Sequence, residues 1–365
     1  MKEKQIDKTL LGLVIVFMAG GFLVFSSASL GLLAREGAQF SSVAFNQLIF
    51  GLLGGSIMMF ITSQIHYRYW RKFAFYIFFI ACVLTLLVFV PGLGFSHGGA
   101  QRWLIIGGFS IQPAEFLKIA YVIYVATILS GIHKQLHNFK HGILPFLLVT
   151  GCVGIIMLLQ PNTDTFALMV VSGLAMFVSA GGRWRDLFLM IFLGIILLAI
   201  LAFSRSYIMD RLTTFIDPSV DPQGKSYQLN QSLIAIGAGG LTGRGYGQSI
   251  QKFHHLPEPI GDSVFSVFAE EFGFAGSFIM LALFSFFTLR GYHIATHAPD
   301  LFSLLLVVGI ITMITFQALL NISAMIGIAP LMGLPLPFIS HGGTALLTTL
   351  ASVGIVLNVS KYQRR

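Results

Sequence analysis

Ten stretches of this sequence are long and apolar enough to cross a membrane, and nothing else about it constrains the fold as much. A span needs about 20 mostly apolar residues. Windows of that kind fall at 10–28, 46–64, 73–91, 113–131, 143–160, 164–180, 187–204, 264–289, 301–322 and 342–359. Hydrocarbon offers the backbone no hydrogen-bond partner, so each window is expected to be a helix and the chain all-α. The residues are 56% hydrophobic and only 10% charged, against roughly 25% charged in a soluble domain. The first run, Leu10 to Ala28, follows Lys2, Lys4 and Lys8 as a signal peptide would. It is nevertheless long enough to span and lacks a small-residue cleavage site, so it reads as the first transmembrane helix.

Ten spans return the C-terminus to the side of the N-terminus. If that side is the cytoplasm, its segments hold Lys2, Lys4, Lys8, Arg68, Arg71, Lys72, Lys134, Lys140, Arg183, Arg185, Arg290, Lys361, Arg364 and Arg365, and the positive-inside rule is met. The net charge of +8 therefore reports topology rather than a nucleic-acid partner. The remaining basic residues are Arg35, Arg102, Lys118, Arg205, Arg211, Lys225, Arg244 and Lys252. All but Arg35 belong to the stretch from Gly92 to Lys118 or to a polar insert over 205–263. Within the insert Ser226 to Ala238 is amphipathic, which predicts short helices lying on the outer membrane surface. No internal repeat supports an inverted-repeat transporter. Cys82 and Cys152 both fall inside apolar runs, where packed thiols are expected rather than a disulfide or a metal pair.

The insert ends in His255-Leu256-Pro257-Glu258-Pro259-Ile260-Gly261-Asp262-Ser263, and the eighth span begins immediately afterwards. Asp262 is thereby expected at the outer interface, where it can cap the helix, serve chemistry, or do both. Glu270 and Glu271 follow, roughly 12 Å deeper on a regular helix, and two acids there must face protein or water. Gln112-Pro113-Ala114-Glu115 with Lys118 opens the fourth span. Its acid and base at i, i+3 can pair on one face, either as a functional site or as a structural ion pair.

The run from Gly237 to Gly247 holds six glycines around Arg244. It could form an anion nest or simply turns between surface helices; it is neither a Walker loop nor a Rossmann fingerprint. His254, His255 and Glu258 lack a spacing that demands a metal. Gly333 to Gly343, with prolines at 335 and 337, breaks the helical pattern between the last two spans. Such backbone should line a cavity or be covered by protein.

Taken in order, these segments resemble the SEDS family (shape, elongation, division and sporulation; FtsW, RodA and SpoVE) over the whole chain, as a single transmembrane domain of residues 1–365. The likeness is carried by Gly99-Ala100-Gln101-Arg102-Trp103, Gln112-Pro113-Ala114-Glu115 with Lys118, and Gln160-Pro161. It continues through Leu256-Pro257-Glu258 leading to Asp262 and Glu270-Glu271-Phe272-Gly273, and ends at Gly333 to Gly343. It leans slightly to the FtsW-like division members. Three places depart from the family pattern: Ile260-Gly261 stand where a His-Thr or similar pair is usual, Gln-Pro-Asp reads Gln160-Pro161-Asn162, and Ser-Tyr-Gly-Gly reads Ser340-His341-Gly342-Gly343.

The resemblance implies a peptidoglycan glycosyltransferase of the bacterial cytoplasmic membrane that polymerises lipid II on the outer face. It further implies a class B penicillin-binding protein as crosslinking partner, alongside other division or elongation proteins. Asp262 matches the family's essential outer-loop carboxylate. One positioned carboxylate suffices as general base. The pyrophosphate leaving group needs cations, for which Arg102, Lys118, Arg205, Arg211, Arg244 and Lys252 are candidates, with or without Mg or Mn. Glu115, Glu270 and Ser340 complete the expected substrate-binding set. Two rival readings stand beside this one. A lipid-linked precursor flippase would need a polar path across the bilayer, and a non-catalytic scaffold would need no carboxylate at Asp262.

Overall fold

The computed structural model describes residues 5–35, 43–97, 100–106, 109–217, 221, 224 and 226–363. Lys2, Lys4, Gly99, Lys225, Arg364, Arg365 and the side chains of Arg35 and His254, all named above, lie outside the described set.

The helices are α1 (Lys8–Arg35), α2 (Val43–Gln64), α3 (Tyr67–Leu86), α4 (Pro113–Ile132), α5 (Leu144–Leu159), α6 (Thr163–Ser179) and α7 (Trp184–Ser204). Three short ones follow in the polar insert: α8 (Ser206–Ile216), α9 (Tyr227–Gly239) and α10 (Gln251–His254). Then come α11 (Val264–Thr296), α12 (Leu301–Met325) and α13 (Gly343–Ser360). Nine helical segments among the described residues are long and apolar enough to cross a membrane. The tenth expected span is α6, a shorter apolar helix of 17 residues. α3 begins earlier than its apolar window because His66 caps it, accepting the Arg68 N–H through its ring nitrogen (3.2 Å).

Both described chain ends meet on one face of the bundle, here the terminal face. The Asp7 N–H donates to Ser360 Oγ (3.0 Å), while Arg290 binds the Asp7 carboxylate (2.5 Å) and knots α1, α11 and α13 together. The insert emerges at the other face. α2 and α13 pack closely because small residues face each other: a Cβ on Gly55 would lie 2.7 Å from Leu350, and one on Gly354 2.0 Å from the Thr62 hydroxyl.

The helical expectation misses one element. Between α3 and α4 runs a three-stranded antiparallel sheet, β1 (Gly94–His97), β2 (Ala100–Ile106) and β3 (Phe109–Ile111), in the order β1-β2-β3. Its strands are too short for alternation to register, although Gly-Gly pairs at 98–99 and 107–108 are a hairpin signal in the sequence. Both cysteines are free; Cys82 is packed as expected, whereas Cys152 lies on the exposed surface of α5.

α11 is two helices fused across a break at Gly273 (φ +65°, ψ −162°). Backbone groups freed by a break must find partners, and the glycine-rich segment after α9 supplies them. The N–H groups of Arg244 and Gly245 donate to the Glu270 and Glu271 carbonyls (3.0 and 2.9 Å). Those of Phe274 and Ala275 donate to the Gly240 and Leu241 carbonyls (2.9 and 3.0 Å). The glycines are there because the two backbones touch: a Cβ on Gly243 would stand 2.1 Å from the Glu271 carbonyl oxygen. This segment is a splint across a broken helix.

Candidate active site

Asp262 sits just before α11, partly buried, with Ser263 rather than Asp262 at the helix cap. Among the described residues no hydrogen bond or ion pair holds its carboxylate; its backbone is held instead. Three consecutive carbonyls each accept a bond from a distant part of the chain: Ile260 from the His341 N–H (2.7 Å), Gly261 from the Ser340 hydroxyl (2.8 Å) and Asp262 from the Asn321 amide (2.8 Å). Glu258 and Phe338, on the two segments that meet here, adopt left-handed backbone (φ +45° and +67°). Strain of that kind collects at functional sites.

The charges facing Asp262 come from four places in the chain. Arg102 on β2 donates to the carbonyls of Gln160 (3.2 Å) and Pro161, which lashes the sheet to the α5–α6 turn. Arg211 on α8 reaches both oxygens of Asp164 on α6 (2.6 Å each). Asp164 and Asp262 converge over Gly333, where an added Cβ would lie 4.0 and 3.5 Å from their respective Oδ2 atoms. Withdrawal from water pushes the Asp262 carboxyl up to about 7, with help from the negative charges of Glu258 and Asp164 and against the pull of Arg211 and Arg102. The result is an unbonded carboxylate poised to exchange a proton near neutrality, beside two guanidinium groups.

The remaining expected site residues separate into other groups. Lys252 is wholly buried, with Nζ 2.7 Å from Glu271, 2.9 Å from Ser27 Oγ and 2.9 Å from the Gly247 carbonyl oxygen. Glu270 accepts from Ser249 Oγ (2.6 Å) and from the Ile250 and Gln251 N–H groups, with Arg244 at 3.4 Å. Lys252 and Glu270, both named as candidates for substrate, are instead buried in the seam between α1, the insert and the splinted part of α11, with the exposed Arg244 at its rim. Ser340 has its oxygen engaged by Gly261 and Leu336 (2.8 and 2.7 Å) and serves the backbone clasp instead. Arg205 is exposed at the start of α8, and no recorded contact joins it to Asp262.

Glu115 and Lys118 do pair (2.9 Å), each 3% exposed. Lys118 also donates to Gln317 (3.0 Å), and Thr348 donates to Glu115 (3.2 Å). The void beside them measures about 10 Å³, room for one water at most. In this arrangement the pair joins α4 to α12 and α13 through Gln317 and Thr348. Sequence reasoning passed over Asp164, which the structure places in the first turn of α6. It also passed over Gln317 and Asn321, although two amides four residues apart in a span are costly enough to be a signal.

This architecture can be compared with known proteins. The family model described as "Cell cycle protein" (FtsW/RodA/SpoVE) matches residues 7–365. The chain belongs to the FtsW/RodA/SpoVE family. It is 37% identical to stage V sporulation protein E of Bacillus subtilis, covering 100% of this chain and 99% of that one. A probable peptidoglycan glycosyltransferase FtsW of Geobacter sp. (strain M18) is 33% identical, with 98% and 97% covered. Among solved structures of FtsW/RodA/SpoVE-like chains, one from a peptidoglycan synthase complex coordinating polymerization and crosslinking superposes with TM-score 0.82 at 25% identity over 99% of each chain. The rod shape determining protein RodA of Thermus thermophilus gives 0.71 at 26% identity, covering 99% of this chain and 98% of that one. Sporulation, division and rod-shape members of the family thus all lie among the matches.

Proposed function

We propose that this protein is a peptidoglycan glycosyltransferase of the bacterial cytoplasmic membrane, polymerising lipid II on the outer face with both termini in the cytoplasm. The observation that carries the reading is Asp262: a carboxylate with no hydrogen bond or ion pair among the described residues, near neutral in proton affinity, on a backbone pinned at three successive carbonyls, and faced by Arg102 and Arg211. The relatives' names agree with it, and the basic loops of the terminal face agree with a cytoplasmic assignment.

In the reaction Asp262 takes the proton from the 4-hydroxyl of the acceptor sugar as that oxygen attacks the anomeric carbon of the donor. The bond from that carbon to the pyrophosphate oxygen breaks, and its electron pair leaves with undecaprenyl pyrophosphate. Arg102 and Arg211 meet the charge developing there. Lipid tails remain in the bilayer, which is why the site belongs at the interface. Among the described residues no group of three or more His, Cys, Asp or Glu is gathered, and the reaction as written needs no resident Mg or Mn ion. Of the acids facing Asp262, Asp164 is already committed to Arg211 and to the Gly333 N–H (3.1 Å). No step is routed through a metal.

A class B penicillin-binding protein is the partner this reading calls for, since glycan strands must be crosslinked; a related chain has been solved within a synthase complex. The test is polymerisation of labelled lipid II by purified protein, with and without that partner. Asp262→Asn is expected to lower the rate by about 10²–10⁴-fold, and a normal rate from that variant would overturn the assignment.

A further inference from the structure

The segment between the last two spans is fastened residue by residue. Gly333 donates its N–H to Asp164 (3.1 Å), and the carbonyls of Leu334 and Pro335 accept from Asn321 Nδ2 (2.7 Å) and Gln317 Nε2 (2.8 Å). The Leu336 N–H reaches Ser340 Oγ (2.7 Å), and the Gly342 N–H reaches Gln47 Oε1 (3.1 Å). From this fastened segment Ser340 and His341 clasp the carbonyls of Gly261 and Ile260. Asn321, from α12, also binds both sides. Its amide nitrogen donates one hydrogen to Leu334 and the other to the carbonyl of Asp262 itself.

Asn321 is completely buried, and its own Oδ1 has no partner. An orphaned buried acceptor is costly, so the side chain is oriented for its two donors at the expense of its acceptor. Four residues earlier on the same face of α12, Gln317 uses both ends: its oxygen accepts from Lys118 (3.0 Å) while its nitrogen holds Pro335. The Glu115–Lys118 pair is therefore the buried footing of the clasp.

We propose that Asn321, backed by Gln317, is the positioning residue for Asp262: it fixes the carboxylate through the backbone and so leaves both carboxylate oxygens free. This inference rests on the reading of Asp262 as the base. A general base must stand within hydrogen-bond reach of the proton it removes. A side chain held by its own oxygens would lose basicity, whereas one held through its carbonyl keeps it. Rate is steep in this geometry, since a displacement of about 1 Å can cost on the order of a hundredfold.

The experiment uses the full chain in detergent with labelled lipid II, measuring kcat and KM across pH, and thermal unfolding as a control. Asn321→Asp matches asparagine in size and removes the paired donors. It is expected to lower kcat ten- to a hundredfold with KM near wild type. It should also displace the acidic limb of the pH profile, through the acid added beside Asp262 and through the release of its backbone alike. Gln317→Met keeps the side chain's length, removes the donor to Pro335 without adding charge, and should lower kcat by less while moving the acidic limb to lower pH, because a released Asp262 turns toward water. If Asn321→Asp does not fold, Gln317→Met decides alone. Wild-type kcat and an unmoved pH limb in the folded variant would overturn the proposal, as would a lower melting temperature with an unmoved limb. Asp262→Asn in the same assay separates the two readings. An active Asp262→Asn protein defeats the catalytic assignment, whereas an inactive one beside an unaffected Asn321→Asp protein defeats the positioning role only.

Discussion

Asp164 holds both carboxylate oxygens 2.6 Å from one nitrogen of Arg211. This pairing aims a guanidinium at Asp262 while subtracting part of its charge. Replacing Asp164 with asparagine removes a negative neighbour that raises the Asp262 carboxyl and releases a positive one that lowers it. Both changes act in the same direction. Asp164→Asn is expected to shift the acidic limb of the lipid II polymerisation profile to lower pH. At pH 7.5 the rate should fall by roughly tenfold, as the base weakens and Arg211 loses its anchor. A rate-against-pH series on wild type and variant measures both.

Asp262 also sets opposite demands on activity and stability. As a base it works only when ionised, so the wild-type rate should climb as pH rises through about 7. Its carboxyl binds a proton more tightly in the folded protein than in the unfolded chain, where about 4 is ordinary. The folded state therefore takes up protons, and this contribution to stability is complete below about pH 4 and lost as pH rises through 7. Asp262→Asn carries no such charge. The inactive variant is expected to unfold at a higher temperature than wild type at pH 8, with the gap closing toward pH 4, as differential scanning fluorimetry in detergent would show.

Much of the fold could be read in advance because hydrocarbon leaves few choices. Each of the ten apolar windows has its helix, and the insert over 205–263 carries the short helices expected of its amphipathic stretch. Asp262 stood out through its glycine and proline neighbours and through family resemblance. The partners of the other charges did not. Lys252 and Glu271 lie 19 residues apart, and no local pattern says that they seal a seam with Ser27 of α1. Arg244 among its glycines could be read as an anion nest or as plain turns, and neither reading shows that Gly239 and Gly243 let one backbone touch another. Gln317 and Asn321 were hidden inside an apolar span, where periodicity counts them as interruptions. Long-range pairing of this kind is decided by tertiary geometry and leaves no periodic trace.

The seam around Lys252 should be a stability element separate from catalysis. Its ammonium is fully buried among Glu271, Ser27 and the Gly247 carbonyl. Removing one partner of a buried pair leaves the other charge uncompensated, at about 3–5 kcal/mol. Lys252→Met is expected to lower the unfolding temperature of the purified protein sharply. Adding Glu271→Gln, which removes the stranded charge, should restore most of the loss. A double variant no better than the single one would show that Lys252 acts through something other than this pair.

The splint across α11 makes the last prediction, and its two sides can be tested against each other. Gly273 must hold φ +65° to break the helix, and Gly243 must hold φ +81° while its Cα passes beside the Glu271 carbonyl. Alanine at either position meets both obstacles. Left-handed backbone costs a non-glycine residue roughly 1–3 kcal/mol, and the added methyl would sit 2.1 Å from the Glu271 carbonyl oxygen in one case and 2.4 Å from the Gly243 nitrogen in the other. Gly243→Ala and Gly273→Ala should each reduce folded yield and thermal stability, and the pair together should lose less than the sum, because parting the two backbones once relieves both clashes. Gly237→Ala is the control: it lies on α9 with open space where its Cβ would go and should gain slightly from helix propensity. Equal losses at all three positions would mean that the glycines matter for flexibility and that the close backbone approach is irrelevant.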